Sequence, residues 1–196
     1  MDQTLLYYNY RAEEFVNNTI AVDFTDTQSR FADKFNQGDY ILDFGCGSGR
    51  DTKYFLEKGF TVDATDGSEE LCKLASAYTG INVKCMLFQE LDEYKKYDGI
   101  WACSSILHLA KGELKSVLAQ MCQALKDSGY IYTSFKNSNF EGVRNGRYFT
   151  DFTIDSFREF IKDCDIEICE YWITGDVRAG REDEKWLNLI LKKKSS

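Results

Sequence analysis

From Tyr40 onward, short apolar runs alternate with stretches of helical spacing. Runs at 41–44, 60–65, 83–88, 99–103 and 130–135 predict strands. Between them, Leu71, Leu74, Ala75 and Tyr78 recur at i, i+3, i+4 and i+7 before Gly80, and Leu114, Val117, Leu118, Met121, Cys122 and Leu125 repeat that spacing before Gly129. Ile154, Phe157, Phe160 and Ile161 mark one face of a later helix. Such alternation implies an α/β fold, a doubly wound, mostly parallel sheet with helices on both faces. The last two strands, 166–173 and 186–191, flank a charged loop with no helical segment, which predicts an antiparallel terminal hairpin and seven strands in all. Ahead of this core, Tyr8, Ala12, Phe15, Val16 and Thr19 fall at helical spacing, followed by Phe31 and Phe35. The reading is one domain over 1–196, with a helical lid at 1–38 and the α/β core at 39–196.

The first strand ends in Asp43-Phe44-Gly45-Cys46-Gly47-Ser48-Gly49-Arg50. Glycine on alternate positions permits positive φ and lets a ligand approach the main chain where a Cβ would collide. The dinucleotide fingerprint is G-x-G-x-x-G/A. Here the third glycine comes one residue early and an acid precedes the first, which suits a ligand carrying an amino group better than one carrying two phosphates. A second acid, Asp66, ends the next predicted strand about 20 residues later, the distance expected of a ribose-binding carboxylate. Asp66 also fits a helix cap, but Ser68 can serve there and leave the carboxylate for a sugar.

Composition narrows the setting. Hydrophobic residues make up 43% and charged residues 29% of 196 positions, ordinary for a chain that buries one substantial core. No apolar run approaches the roughly 20 residues of a membrane span, and Met1-Asp2-Gln3 does not open a signal sequence, so the expectation is a cytoplasmic protein with no membrane partner. Seven cysteines form no C-x-x-C pair and read as reduced, buried thiols rather than metal ligands. A formal charge of −8 argues against nucleic acid as a partner, because phosphate-backbone binding is driven by Lys and Arg.

The pattern Asp-Phe-Gly-Cys-Gly-Ser-Gly, with Asp66 one strand on and the terminal hairpin, resembles class I S-adenosylmethionine-dependent methyltransferases over nearly the whole chain. The Gly49-Arg50 pair is similar to the tellurite-resistance branch of small methyltransferases. The resemblance implies S-adenosylmethionine as cofactor, with S-adenosylhomocysteine as product. Asp43 and the backbone of Gly45, Cys46, Gly47 and Gly49 would hold the methionine part, Asp66 the ribose hydroxyls, and Gly67 and Ser68 the adjoining turn. Phe88 and Gln89 would meet the adenine, although Gln89 equally suits a solvated loop. Tyr8 from the lid and Cys103 and Ser104 after the fourth strand complete the expected cofactor set. Arg50 opens a helix at the positive end of its dipole and needs a carboxylate nearby. The methionine carboxylate is one candidate, and Asp51 is a poor one because adjacent helical residues point apart.

The fourth strand delivers His108, the sole histidine, to the carboxyl face of the sheet, where it suits either general base or a structural histidine bonded to a carbonyl. The loops after the fifth and sixth strands carry Arg144, Arg147, Tyr148, Asp176, Arg178 and Arg181. They read as a solvated charge cluster or, with Arg144, Arg147, Tyr148 and Arg178 as ligands, as a pocket for an anionic small-molecule acceptor. A chain without proline lacks the Asp/Asn-Pro-Pro-aromatic and Pro-Cys motifs of nucleic-acid methyltransferases. The expectation is methyl transfer to O, N or S of a small molecule. A cofactor-binding module without catalysis, a partner subunit and a nicotinamide oxidoreductase are the competing readings.

Overall fold

The computed structural model describes residues 3–176, 180–181 and 183–194. The chain runs α1 (Gln3–Tyr10), α2 (Ala12–Thr19), α3 (Thr25–Ala32), β1 (Tyr40–Phe44), α4 (Arg50–Glu57), β2 (Thr61–Asp66), α5 (Glu69–Thr79), β3 (Lys84–Cys85), β4 (Tyr97–Ala102), α6 (Lys111–Ala124), β5 (Leu125–Lys136), β6 (Glu141–Arg144), β7 (Arg147–Thr150), α7 (Ile154–Ile161), β8 (Ile166–Gly175) and β9 (Lys185–Lys193). Seven strands form one sheet in the order β3-β2-β1-β4-β5-β9-β8, while β6 and β7 pair separately. The five strands up to β5 are parallel, and β9 runs antiparallel to both neighbours. The predicted doubly wound sheet with its terminal hairpin is therefore the observed one.

Burial on both faces explains the continuous apolar runs. Ile41 points into a layer with Phe31 of α3 and Phe55 of α4, around Trp101 and Tyr132, whose rings stack at 4.0 Å. Leu42 and Phe44 point the other way, toward Leu114, Val117, Leu118 and Met121 of α6 and Phe157 and Ile161 of α7. Each such side chain contributes about 1.5–3 kcal/mol on burial. Both layers hold the carboxyl ends of β1, β2, β4 and β5 side by side, and this edge carries the site.

Four expectations change. The predicted strand at 83–88 contracts to Lys84–Cys85, an edge strand paired only with β2, and Phe88–Glu90 forms a 3₁₀ turn. Leu125 leaves the helix and begins β5, because the amides of Lys95 and Lys96 take the last carbonyls, Gln123 and Ala124. The N-terminal 38 residues divide: α1 and α2 lie over the glycine loop, whereas Phe31 of α3 is fully buried in the core. The thiols also divide, with Cys46, Cys72 and Cys122 buried and Cys85 and Cys169 exposed. No helix among the described residues is long and apolar enough to cross a membrane.

Candidate active site

The glycine side of the cleft is built from main chain. Gly45 and Cys46 both donate from their amides to the Thr65 carbonyl at 2.9 Å, which ties the loop to β2. Gly45 sits at φ +85°, and a Cβ there would lie 2.5 Å from the Ser105 Cβ. Gly47 is at φ +55°, with the Phe15 ring 2.9 Å from where its Cβ would be. Asp66 accepts from the Gly47 and Ser68 amides, each at 2.9 Å, and burial raises its pKa. Ser68 caps α5 through Leu71 and also donates to Asn9 Oδ1 at 2.7 Å, so the cap fastens α1 to the loop. Leu5 of α1 covers Gly67.

Asp43 lies beneath the loop, accepting from Thr52 Oγ1 at 2.5 Å. Burial, then the neighbouring Asp51, pushes its pKa to about 8. Asp51 is itself 6% exposed and accepts from Gln28 Nε2 at 2.7 Å, Trp101 Nε1 at 2.9 Å, and Arg50 Nε and Nη2 at 2.7 and 3.0 Å. The pairing of Arg50 with Asp51 corrects the expectation that adjacent residues point apart. Arg50 lies in the first turn of α4, and its long side chain folds back over the Phe24 ring to grip the buried carboxylate. A buried acid left unmatched would cost several kcal/mol, about 3–5 when a partner is removed. The guanidinium is thus committed within the chain, though it still borders the cleft.

The opposite wall is made of side chains. His108 follows β4 on a 3₁₀ turn, and its Nδ1 lies 2.6 Å from the Tyr148 carbonyl. A carbonyl only accepts, so Nδ1 carries the hydrogen and Nε2 of the neutral ring accepts from Tyr8 Oη at 2.8 Å. Burial raises the Tyr8 pKa against the pull of Arg147, so the hydroxyl stays protonated. Arg147 Nη1 donates to the same oxygen at 3.3 Å. Ser104 sits between these walls at φ 51°, held by the Ser134 hydroxyl at 2.9 Å, and such strain clusters at functional sites.

Between the walls is a cavity of about 140 Å³, close to the size that holds benzene in an engineered core. Tyr8, Cys46, Gly47, Arg50, Cys103, Ser104, His108 and Arg147 all border it. Other expected residues stand elsewhere. Gln89 is exposed and donates to Glu113 at 3.3 Å, turned away because the short β3 ends before it. Phe88 packs on Phe44 under Gly45. Tyr148 offers His108 its carbonyl, while its hydroxyl donates to Glu141 at 3.1 Å, because successive strand residues face opposite sides. Arg144 is held by both Asp151 oxygens at 2.7 Å. Arg178 lies outside the described residues.

A family model described as a methyltransferase domain matches residues 41–129, the span from β1 to the start of β5 that contains the glycine loop, Asp66 and His108. Residues 41–129, just under half of the chain, thus match a methyltransferase domain, and the fold is that of class I S-adenosylmethionine-dependent methyltransferases. An uncharacterized protein of Methanocaldococcus jannaschii is 33% identical over 110 residues, a match covering 52% of this chain and 29% of that protein. The chain thus spans under a third of the curated relative it matches. Among solved structures, the 1,6-didemethyltoxoflavin-N1-methyltransferase of Burkholderia thailandensis, with bound 1,6-didemethyltoxoflavin and S-adenosylhomocysteine, superposes with a TM-score of 0.78 at 21% identity, over 97% of this chain and 86% of that one. A TehB-like methyltransferase of Corynebacterium glutamicum superposes at 0.71 and 21% identity, over 96% and 99%. These likenesses are of fold.

S-adenosylmethionine is the cofactor of this methyltransferase family, and the residues here fit it. Alternate glycines leave Cβ-free backbone, and Asp66 stands at the carboxyl end of β2 with its charge held by loop amides. The residues that sequence reasoning missed are Phe15 and Leu5, which roof the loop, and Gln28 and Trp101, which hold Asp51. The β6–β7 hairpin that aims Arg147 was also missed, and its Asn145-Gly146 turn, at φ 49° and 77°, was the available signal.

Proposed function

We propose that this methyltransferase acts as an enzyme on O, N or S of a small-molecule acceptor. The observation that carries the reading is a cavity bounded on one side by the glycine loop and on the other by His108. The cofactor supplies an electrophilic methyl group and departs as S-adenosylhomocysteine. The chain's own residues then have separate tasks. Gly45, Gly47 and Asp66 orient the cofactor. The β4 turn brings His108 Nε2 to the cavity as a neutral acceptor, fixed in tautomer by Tyr148, so it can take a proton from the acceptor or through Tyr8. Orientation of the acceptor against the methyl group supplies much of the rate. Exposed, unpaired Cys85 and Cys169 fit a reducing compartment such as the cytoplasm.

A thermal-shift comparison tests the cofactor half. S-adenosylhomocysteine at 100 times its dissociation constant should stabilise the fold by about 2.7 kcal/mol, and NAD should not. Incubation with radiolabelled S-adenosylmethionine and pooled metabolites then tests transfer. Stabilisation by NAD alone, or no labelled small-molecule product from any pool, would overturn the reading.

A further inference from the structure

The two arginines that flank the Asn145-Gly146 turn sit opposite each other in the hairpin register, yet their surroundings differ. Arg144 is locked onto Asp151 by both carboxylate oxygens. Arg147 pairs with no carboxylate among the described residues, and its one hydrogen bond there goes to the Tyr8 hydroxyl; the Nε atoms of both arginines are buried without a partner. The Tyr7 and Phe149 rings lie 4.6 and 5.1 Å from the guanidinium carbon. Aromatic packing of this kind fixes the plane of the guanidinium and leaves its N–H edge as the recognition surface.

That edge faces a junction. Arg147 borders both the cavity beside the glycine loop and a second one of about 350 Å³ under the hairpin. Among the described residues lining the two, basic side chains number six (Arg50, Lys136, Arg144, Arg147, Arg181 and Lys185) against five acidic ones. The chain as a whole has 24 basic and 32 acidic residues, so the cleft carries the opposite balance from the rest of the molecule. The lining acids Asp51, Asp151 and Glu184 are each matched by a cation: Arg50, Arg144 and Lys136.

We infer that Arg147 is the receptor for an oxyanion on the methyl acceptor, most simply a carboxylate, which its fork grips while the rest of the acceptor lies beside His108. This rests on the methyl-transfer reading above and names the substrate class of that same site. A carboxylate could also come from the methionine end of the cofactor. The position of Arg147 on the β6–β7 hairpin, an element separate from the glycine loop, favours the acceptor, and the experiment separates the two sources.

Benzoate is the probe, because it joins a carboxylate to a small ring; benzamide is its neutral isostere and inorganic phosphate a second oxyanion. Each is titrated calorimetrically into the full chain saturated with S-adenosylhomocysteine, in wild type, Arg147→Gln and Arg147→Lys. The expected result is saturable benzoate binding, at least tenfold tighter than benzamide, weakened at least tenfold in Arg147→Gln and partly retained in Arg147→Lys. Affinity for S-adenosylhomocysteine should stay within about twofold across the three proteins, which also certifies that each variant folds. Binding of neither benzoate nor phosphate, or equal benzoate binding in all three, would overturn the inference while leaving the cofactor assignment intact. A tenfold loss of S-adenosylhomocysteine affinity in both variants would instead give Arg147 to the cofactor's own carboxylate and equally overturn it. Failure of S-adenosylhomocysteine to bind wild type would count against the methyltransferase reading itself.

Discussion

The two walls of the cleft are made of different material. The glycine wall is main chain: Gly45, Cys46 and Gly47 offer backbone within one short turn, and the Asp66 carboxylate joins them by accepting a hydrogen bond from the Gly47 amide. The facing wall is side chain, assembled from Tyr8, His108 and Arg147, whose hydrogen bonds span 100 and 139 residues of sequence. A main-chain wall tolerates change in its neighbours but not in its glycines. A side-chain wall can be altered one group at a time, which is how one fold comes to serve many acceptors.

The largest test of this contrast is Gly45→Val. Positive φ costs a β-branched residue about 1–3 kcal/mol, and its Cβ would meet Ser105 at 2.5 Å, adding roughly another 1–3 kcal/mol of overpacking. We expect a stability loss of about 2–6 kcal/mol by urea unfolding, with no calorimetric binding of S-adenosylhomocysteine. Wild-type behaviour would show that the wall is not made of backbone.

On the other wall, His108→Gln should lower kcat by about 10²-fold or more if the ring moves a proton, with cofactor affinity unchanged. Tyr8→Phe, which deletes only the shared hydroxyl, should cost less and shift the acid limb of the kcat profile. Equal kcat in the His108→Gln enzyme would reduce that ring to a structural role.

The smallest effect is a pH dependence under the glycine wall. Unfolded, Asp43 titrates near 3.9; folded, burial and Asp51 hold it near 8. Between those values the native state retains a proton that the unfolded state has released, so stability from this group declines as pH rises and levels off above about 8. Asp43→Asn cannot titrate and should show a shallower fall in denaturation midpoint between pH 5 and pH 8 than wild type. Parallel slopes would mean that Asp43 is ionised in the folded protein.

Much of this was legible before any coordinates. The seven strands, their mostly parallel character and the terminal hairpin followed from apolar runs and their spacing, since a buried parallel strand must be apolar on both faces; the order of the strands did not. Ser68 caps α5 as its residue type suggested, and Asp66 accepts from the Gly47 and Ser68 amides. The β6–β7 hairpin is hard to see in the sequence because its strands have only four residues each and lack a clear apolar alternation; the Asn145-Gly146 turn is its one local signal. Gln89 and Tyr148 were assigned by position, and their side chains face Glu113 and Glu141 instead. Leu125 fitted a helical period, yet backbone bonds from Lys95 and Lys96 ended the helix one residue earlier.

The sequence by itself determined the parallel sheet and the glycine seat, because both depend on backbone conformations and burial patterns set within a few residues of one another. Only the tertiary structure decided which charges were already matched. It closed Arg50 onto Asp51 and Arg144 onto Asp151, left Arg147 facing the cleft, and set His108 between a carbonyl and a phenol. The physical reason is that charge pairing and hydrogen bonding act over a few ångströms of space, and neighbours in space need not be neighbours in the chain.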